Sequence, residues 1–107
     1  MSSLAASQDL APVHSEFADD PEYREILDLF AEALPERRRS LVDAFRDGDT
    51  AELGTLAHQL KGAGGGFGFR ELTERATALE QACRDRDLAA IAPRLDAVLD
   101  YMQRIVV

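Results

Sequence analysis

The stretch LAHQLKGAGGGFGFRELTERA, residues 56–76, holds one histidine, one lysine and five glycines inside an otherwise helical pattern. His58 and Lys61 carry its chemistry: an imidazole able to act as nucleophile or ligand, and one helical turn along on the same side, a fixed cation. Each glycine costs a helix about 1 kcal/mol relative to alanine. A turn that places Gly62, Gly64, Gly65 and Gly66 together therefore gives up helix stability for some other requirement.

At about 100° per residue, the apolar stripe of this helix centres on Leu53, Leu60 and Gly64. His58 then projects about 140° away from that centre, toward solvent. Ala51, Gly54, Thr55, Lys61, Gly62 and Gly65 share its side of the cylinder. An exposed helix face is ordinarily filled with long charged side chains, whereas this one is nearly flat around the imidazole. A surface of that kind presents the ring to another protein. Close packing between neighbouring helices accounts for Gly64, on the inward side, but not for Gly62 and Gly65.

Other roles for the imidazole fit less well. No cysteine, second histidine or carboxylate cluster stands at ligand spacing from His58, and a small metal-binding bundle would need His14 to approach it from the N-terminal leader. No Ser or Cys nucleophile motif accompanies it, against a hydrolytic triad. The glycine run has no preceding strand and no Gly-Lys-Ser/Thr ending, so it is not a phosphate loop. The imidazole itself as a covalent nucleophile remains.

The elements that must hold these residues are helical. Residues 1–18 show no sustained period and read as a flexible or loosely packed leader; the folded domain is expected over 19–107. Asp19 or Asp20 caps the first helix, with Pro21 and Glu22 in its opening turn. Ile26, Phe30, Leu34, Leu41 and Phe45 recur at spacings of four and seven. That phase crosses Pro35, predicting one kinked helix over about 22–47 or two helices end to end. Gly48 closes it as a left-handed cap, and Asp49 with Glu52 opens the next as a capping box.

That second helix puts Leu53, Leu56, Ala57, Leu60, Gly64 and Phe67 on its stripe. Beyond Gly68 a third carries Leu72, Ala76, Leu79 and Cys83. Asp85 or Asp87 caps a fourth, with Leu88, Ile91, Leu95, Val98, Met102 and Ile105 on its stripe. Four amphipathic helices joined by short turns predict an all-α, antiparallel up-down-up-down four-helix bundle.

Composition agrees. The 107 residues make a single domain with 46% hydrophobic and 30% charged side chains, rich in helix formers. A net charge of −8 argues against nucleic acid or an anionic membrane as partner, because both need a basic face. The lone cysteine, Cys83, lies in an apolar stripe and reads as a buried thiol in a reducing compartment. With neither a signal-peptide pattern nor an apolar run near the ~20 residues that span a bilayer, a cytoplasmic acidic monomer is expected.

The motif AHQLKGAGGGFGF resembles the signature of histidine-containing phosphotransfer (HPt) domains of two-component phosphorelays: His-x-Leu-Lys-Gly, then small residues and a further glycine. Those positions are His58, Leu60, Lys61, Gly62 and Gly68. The resemblance runs from about SEFADDPEY to the last helix. It implies that His58 accepts a phosphoryl group from a receiver-domain aspartate and passes it to another receiver, that Lys61 steadies the phosphoryl oxygens, and that Gly62 keeps the docking face clear. The GGFGF run is most similar to the phosphotransfer domains of chemotaxis kinases, in which a glutamate on the following helix bonds the histidine; Glu80 holds that position and flanks the apolar stripe of its own helix.

The partners implied are response-regulator receivers and a hybrid histidine kinase. The chain is expected to have no cofactor of its own, a divalent ion such as Mg being carried by the receiver. With no ATP-binding kinase domain following, it is expected to be a phosphocarrier, not an enzyme. A second reading keeps the same face as a helical adaptor, a pseudo-HPt module that binds a receiver or kinase without taking phosphate.

Overall fold

The computed structural model describes residues 11–107; the leader expectation for residues 1–10 lies outside them. A 3₁₀ turn, Pro21–Tyr23, leads into four helices: α1 (Arg24–Arg46), α2 (Thr50–Gly66), α3 (Arg70–Arg84) and α4 (Leu88–Arg104). Asp20 accepts from the Glu22 amide, so this cap serves the 3₁₀ turn and not α1. Asp49 accepts from Glu52 N at 3.0 Å, and Asp87, not Asp85, takes Ala90 N at the start of α4. Gly48 ends α1 at φ +68° as expected. Of the two possibilities for Pro35, a single helix is observed, with the exposed proline inside it.

Three short connections reverse the chain each time, giving the antiparallel up-down-up-down bundle. The helices close a ring in which α1 packs on α2 and α4, and α3 on α2 and α4, with no approach across the diagonals. The α2–α3 seam is the closest because its residues are small. Ala57 and Ala76 are fully buried, and a Cβ on Gly64 would stand 2.8 Å from the backbone nitrogen of Thr73. Aromatic rings fill the wider space beside α1: Phe30 stacks on Phe67 at 4.7 Å and on Phe69 at 5.6 Å.

The buried stripe of α1 differs from the expected one. Leu27, Phe30, Leu34, Leu41 and Ala44 are buried, while Ile26 and Phe45 are each 43% exposed. The observed positions follow spacings of three, four and seven, a heptad seam, and the two misassigned residues lie at the edge of that seam. Leu88, at the first position of α4, is also solvent-exposed, whereas Ile91, Leu95, Val98 and Met102 are buried as predicted.

The described part of the leader, residues 11–18, is pinned to the bundle, contrary to the expectation of loose packing. Val13 pairs with Ile105 in a parallel bridge, donating to Arg104 O at 2.8 Å and accepting from Val106 N at 2.9 Å. Glu16 N donates to Gly68 O at 2.9 Å, and Ser15 Oγ donates to Phe67 O at 2.6 Å. Gly68 sits at φ +84°, and a Cβ there would come within 2.9 Å of the Phe17 ring. The α2–α3 turn thus needs glycine for both its backbone angle and the strand of leader crossing it.

Candidate functional site

Helices α2 and α3 hold the site between them. His58 stands on the outer face of α2 with 65% of its side chain exposed, and Glu80 reaches up from the buried edge of α3 with only 11% exposed. Glu80 Oε2 lies 2.9 Å from His58 Nδ1. The other oxygen, Oε1, lies 2.9 Å from Lys61 Nζ. Arg84, one turn beyond Glu80 on α3, donates from NH2 to Oε2 at 3.1 Å. One carboxylate thereby gathers an imidazole and two cations.

These contacts set the electrostatics. The Lys61 bond is the largest influence holding the Glu80 carboxyl below its ordinary range, partial burial works against it, and the His58 bond adds to the lowering. An ionised carboxylate only accepts, so the proton of this contact is on Nδ1, and in the neutral ring the lone pair is then on Nε2. The geometry leaves an imidazole oriented by Glu80 and open to solvent.

Around it, Ala51, Thr55, Gly62 and Gly65 are exposed, as the helical phase requires. Among the described residues, a Cβ on Gly62 would meet nothing within 4 Å, and one on Gly65 only an ordinary contact with Thr73 Oγ1 at 3.8 Å. No internal packing demands glycine at either position. Gly54 differs: it is half-buried, and its Cβ would approach Cys83 Cβ at 3.3 Å, so its small size serves the α2–α3 seam. The Thr55 hydroxyl is turned back onto the Ala51 carbonyl at 3.2 Å.

The surface beside the ring is a shallow cleft whose lining includes Ala51, Gly54, His58, Glu80, Cys83 and Arg84. Sequence reasoning did not single out Arg84; its signal was the four-residue spacing from Glu80, which pairs opposite charges on a helix. Burial, with the Glu80 charge adding to it, pushes the Cys83 thiol up, keeping it protonated and a weak nucleophile.

His14 lines a different cleft, with Arg24, Asp28 and Val107 among its neighbours, that shares no residue with the one at His58. The approach of His14 to His58 that a metal-binding bundle would need does not occur. Among the described residues, no group of three His, Cys, Asp or Glu is arranged to hold a metal ion, and no helix is long and apolar enough to cross a membrane.

Comparison with protein families matches the Hpt domain model to residues 25–106, all four helices and both sides of the His58 cleft. Searches of curated proteins and of solved structures each return no match. With most of its length covered by that family model, and with the helical bundle the family adopts, this chain belongs to the Hpt domain family, whose members serve phosphotransfer in two-component signalling.

Proposed function

We propose that this chain is a phosphocarrier in which His58 takes a phosphoryl group from the aspartyl phosphate of a receiver domain and delivers it to another receiver. The observation that carries this reading is the 2.9 Å contact of Glu80 with Nδ1 of an otherwise exposed imidazole. The lone pair on Nε2 attacks phosphorus, a P–N bond forms, and the P–O bond to the aspartate breaks as its carboxylate leaves with the electron pair. Positive charge developing on the ring is shared through the Nδ1 proton with Glu80, which stays ionised. The reverse sequence loads the next receiver.

Lys61 supplies positive charge beside the reacting phosphoryl oxygens. Gly62 and Gly65, together with Ala51 and Thr55, leave the face low enough for a receiver to close on the ring. The divalent ion such transfers use belongs to the receiver, and a hybrid histidine kinase supplies the first phosphoryl group of the relay. We place the exchange in the cytoplasm, with the chain acting as a monomer.

Incubation with a phosphorylated receiver, followed by chemical typing of the label, tests the reading. The expected product is an acid-labile, alkali-stable phosphate on the wild-type chain and none on His58→Gln. Label retained in that variant would move the acceptor elsewhere. A wild-type chain that binds the receiver yet takes no label would be an adaptor.

A further inference from the structure

Two cations share Glu80, yet they stand in different settings. Lys61 lies on the side of His58 toward the C-terminal end of α2, has 34% of its side chain exposed and is bonded to Oε1. Arg84 lies on the opposite side: α3 runs antiparallel to α2, so the turn after Glu80 returns toward the N-terminal end of α2. There Arg84 lines the cleft with Ala51, Gly54 and His58, a cleft to whose lining Lys61 does not contribute. Its side chain is 65% exposed. Its Nη2 donates to the oxygen that also takes His58 Nδ1.

We infer that Arg84 is a phosphoryl-binding residue of this site, resting on the assignment of His58 as acceptor. A phosphoryl group on Nε2 brings two negative charges to the rim of the cleft. The guanidinium beside the ring offers a planar fork matched to two phosphoryl oxygens, a geometry that an ammonium lacks. Its present bond to Glu80 is a largely exposed ion pair, which is cheap to exchange. Glu80 does not lose its partners in the exchange, because Lys61 and the Nδ1 proton remain on it. Arg84 thus swings from the carboxylate to the phosphoryl oxygens while Lys61 keeps the carboxylate in place.

Phosphoramidate, a small phosphoryl donor that needs no receiver, allows a test in the intact chain. The wild type and the variants Arg84→Gln, Arg84→Lys and Lys61→Gln are loaded with it, and the phosphorus resonance of phospho-His58 is titrated with pH. A bound guanidinium favours the dianion, so Arg84→Gln should raise the phosphoryl ionisation by about half a unit. Arg84→Lys should recover part of that shift, and the unphosphorylated variants should melt within a few degrees of the wild type. Superimposable titrations for the wild type and Arg84→Gln, or a shift in Lys61→Gln alone, would overturn the inference. No phosphohistidine in the wild type would instead overturn the assignment of His58, and this inference with it.

Discussion

Lys61 Nζ and Glu80 Oε1 meet at 2.9 Å, so the lysine of the HPt motif is bound to the carboxylate that orients the histidine. In the free domain it anchors Glu80, and charge at the phosphoryl group is the second role we propose for it. Lys61→Ala should therefore disturb more than a solvated surface charge would, while still shifting stability by no more than about 1 kcal/mol, because the pair is partly open to water. Phosphotransfer should slow on the order of tenfold, about 1.4 kcal/mol in the barrier. Rates equal to the wild type across a range of salt would remove Lys61 from the mechanism.

Glu80 links the site to stability through pH. Its carboxyl titrates below the ordinary value of 4.5, chiefly because Lys61 binds the ionised form. The folded pKa is thus lower than the unfolded one. The resulting stabilisation is complete above about pH 4.5 and is lost as pH falls through the folded value. Glu80→Gln should flatten the acid limb of the melting temperature below about pH 5. An acid limb as steep as that of the wild type would assign the sensitivity to other carboxylates.

The leader offers a prediction that the helices alone would not. Ser15 Oγ donates to Phe67 O and accepts from Phe17 N at 2.9 Å, and Ser15 is buried. Ser15→Ala leaves the Phe67 carbonyl and the Phe17 amide short of a partner, at a cost of about 1–2 kcal/mol. Gly68→Ala should cost more, since it combines a left-handed backbone with a close approach to Phe17. Thermal denaturation should rank wild type above Ser15→Ala above Gly68→Ala. A Gly68→Ala chain that melts with the wild type would show the leader to be dispensable where it crosses the turn.

What could be read from the sequence divides along the physics. His58 pointed outward and Glu80 sat at the stripe edge because α2 and α3 are regular helices, where phase arithmetic carries over many residues. On α1 the same arithmetic chose Ile26 and Phe45, because the run at spacings of four and seven and the heptad seam share Phe30, Leu34 and Leu41 and part only at the ends. The docking of residues 11–18 rests on a positive φ at Gly68 and on contacts between opposite ends of the chain, neither of which has a local periodic signature. Arg84 gained its interest only once Glu80 was seen to face inward; on sequence alone it was one more charged residue near a helix end.

The glycines of the opening stretch separate by what surrounds them, and two substitutions should separate them in the test tube. Gly64 is buried in the α2–α3 seam, and an added Cβ would press on Thr73 backbone at 2.8 Å and on Phe69 O at 3.0 Å. Side-chain rotation cannot relieve contacts with backbone, so Gly64→Ala should push the helices apart and cost about 1–3 kcal/mol. A Cβ on Gly62, two residues earlier, would meet nothing within 4 Å among the described residues. Gly62→Gln should therefore gain several tenths of a kcal/mol from helix propensity. Its side chain would stand one turn from the imidazole on the outer face, where in the proposed transfer a receiver brings its aspartyl phosphate to Nε2, and misplacement of about an ångström is enough to cost on the order of 100-fold in rate. The expected pair of results is a lower melting temperature for Gly64→Ala, and a raised one for Gly62→Gln together with a loss of transfer from a loaded receiver. Labelling of Gly62→Gln by phosphoramidate should persist, because that donor needs no docking surface. Normal transfer from the receiver in Gly62→Gln would mean that the flat face around His58 is not where the partner closes.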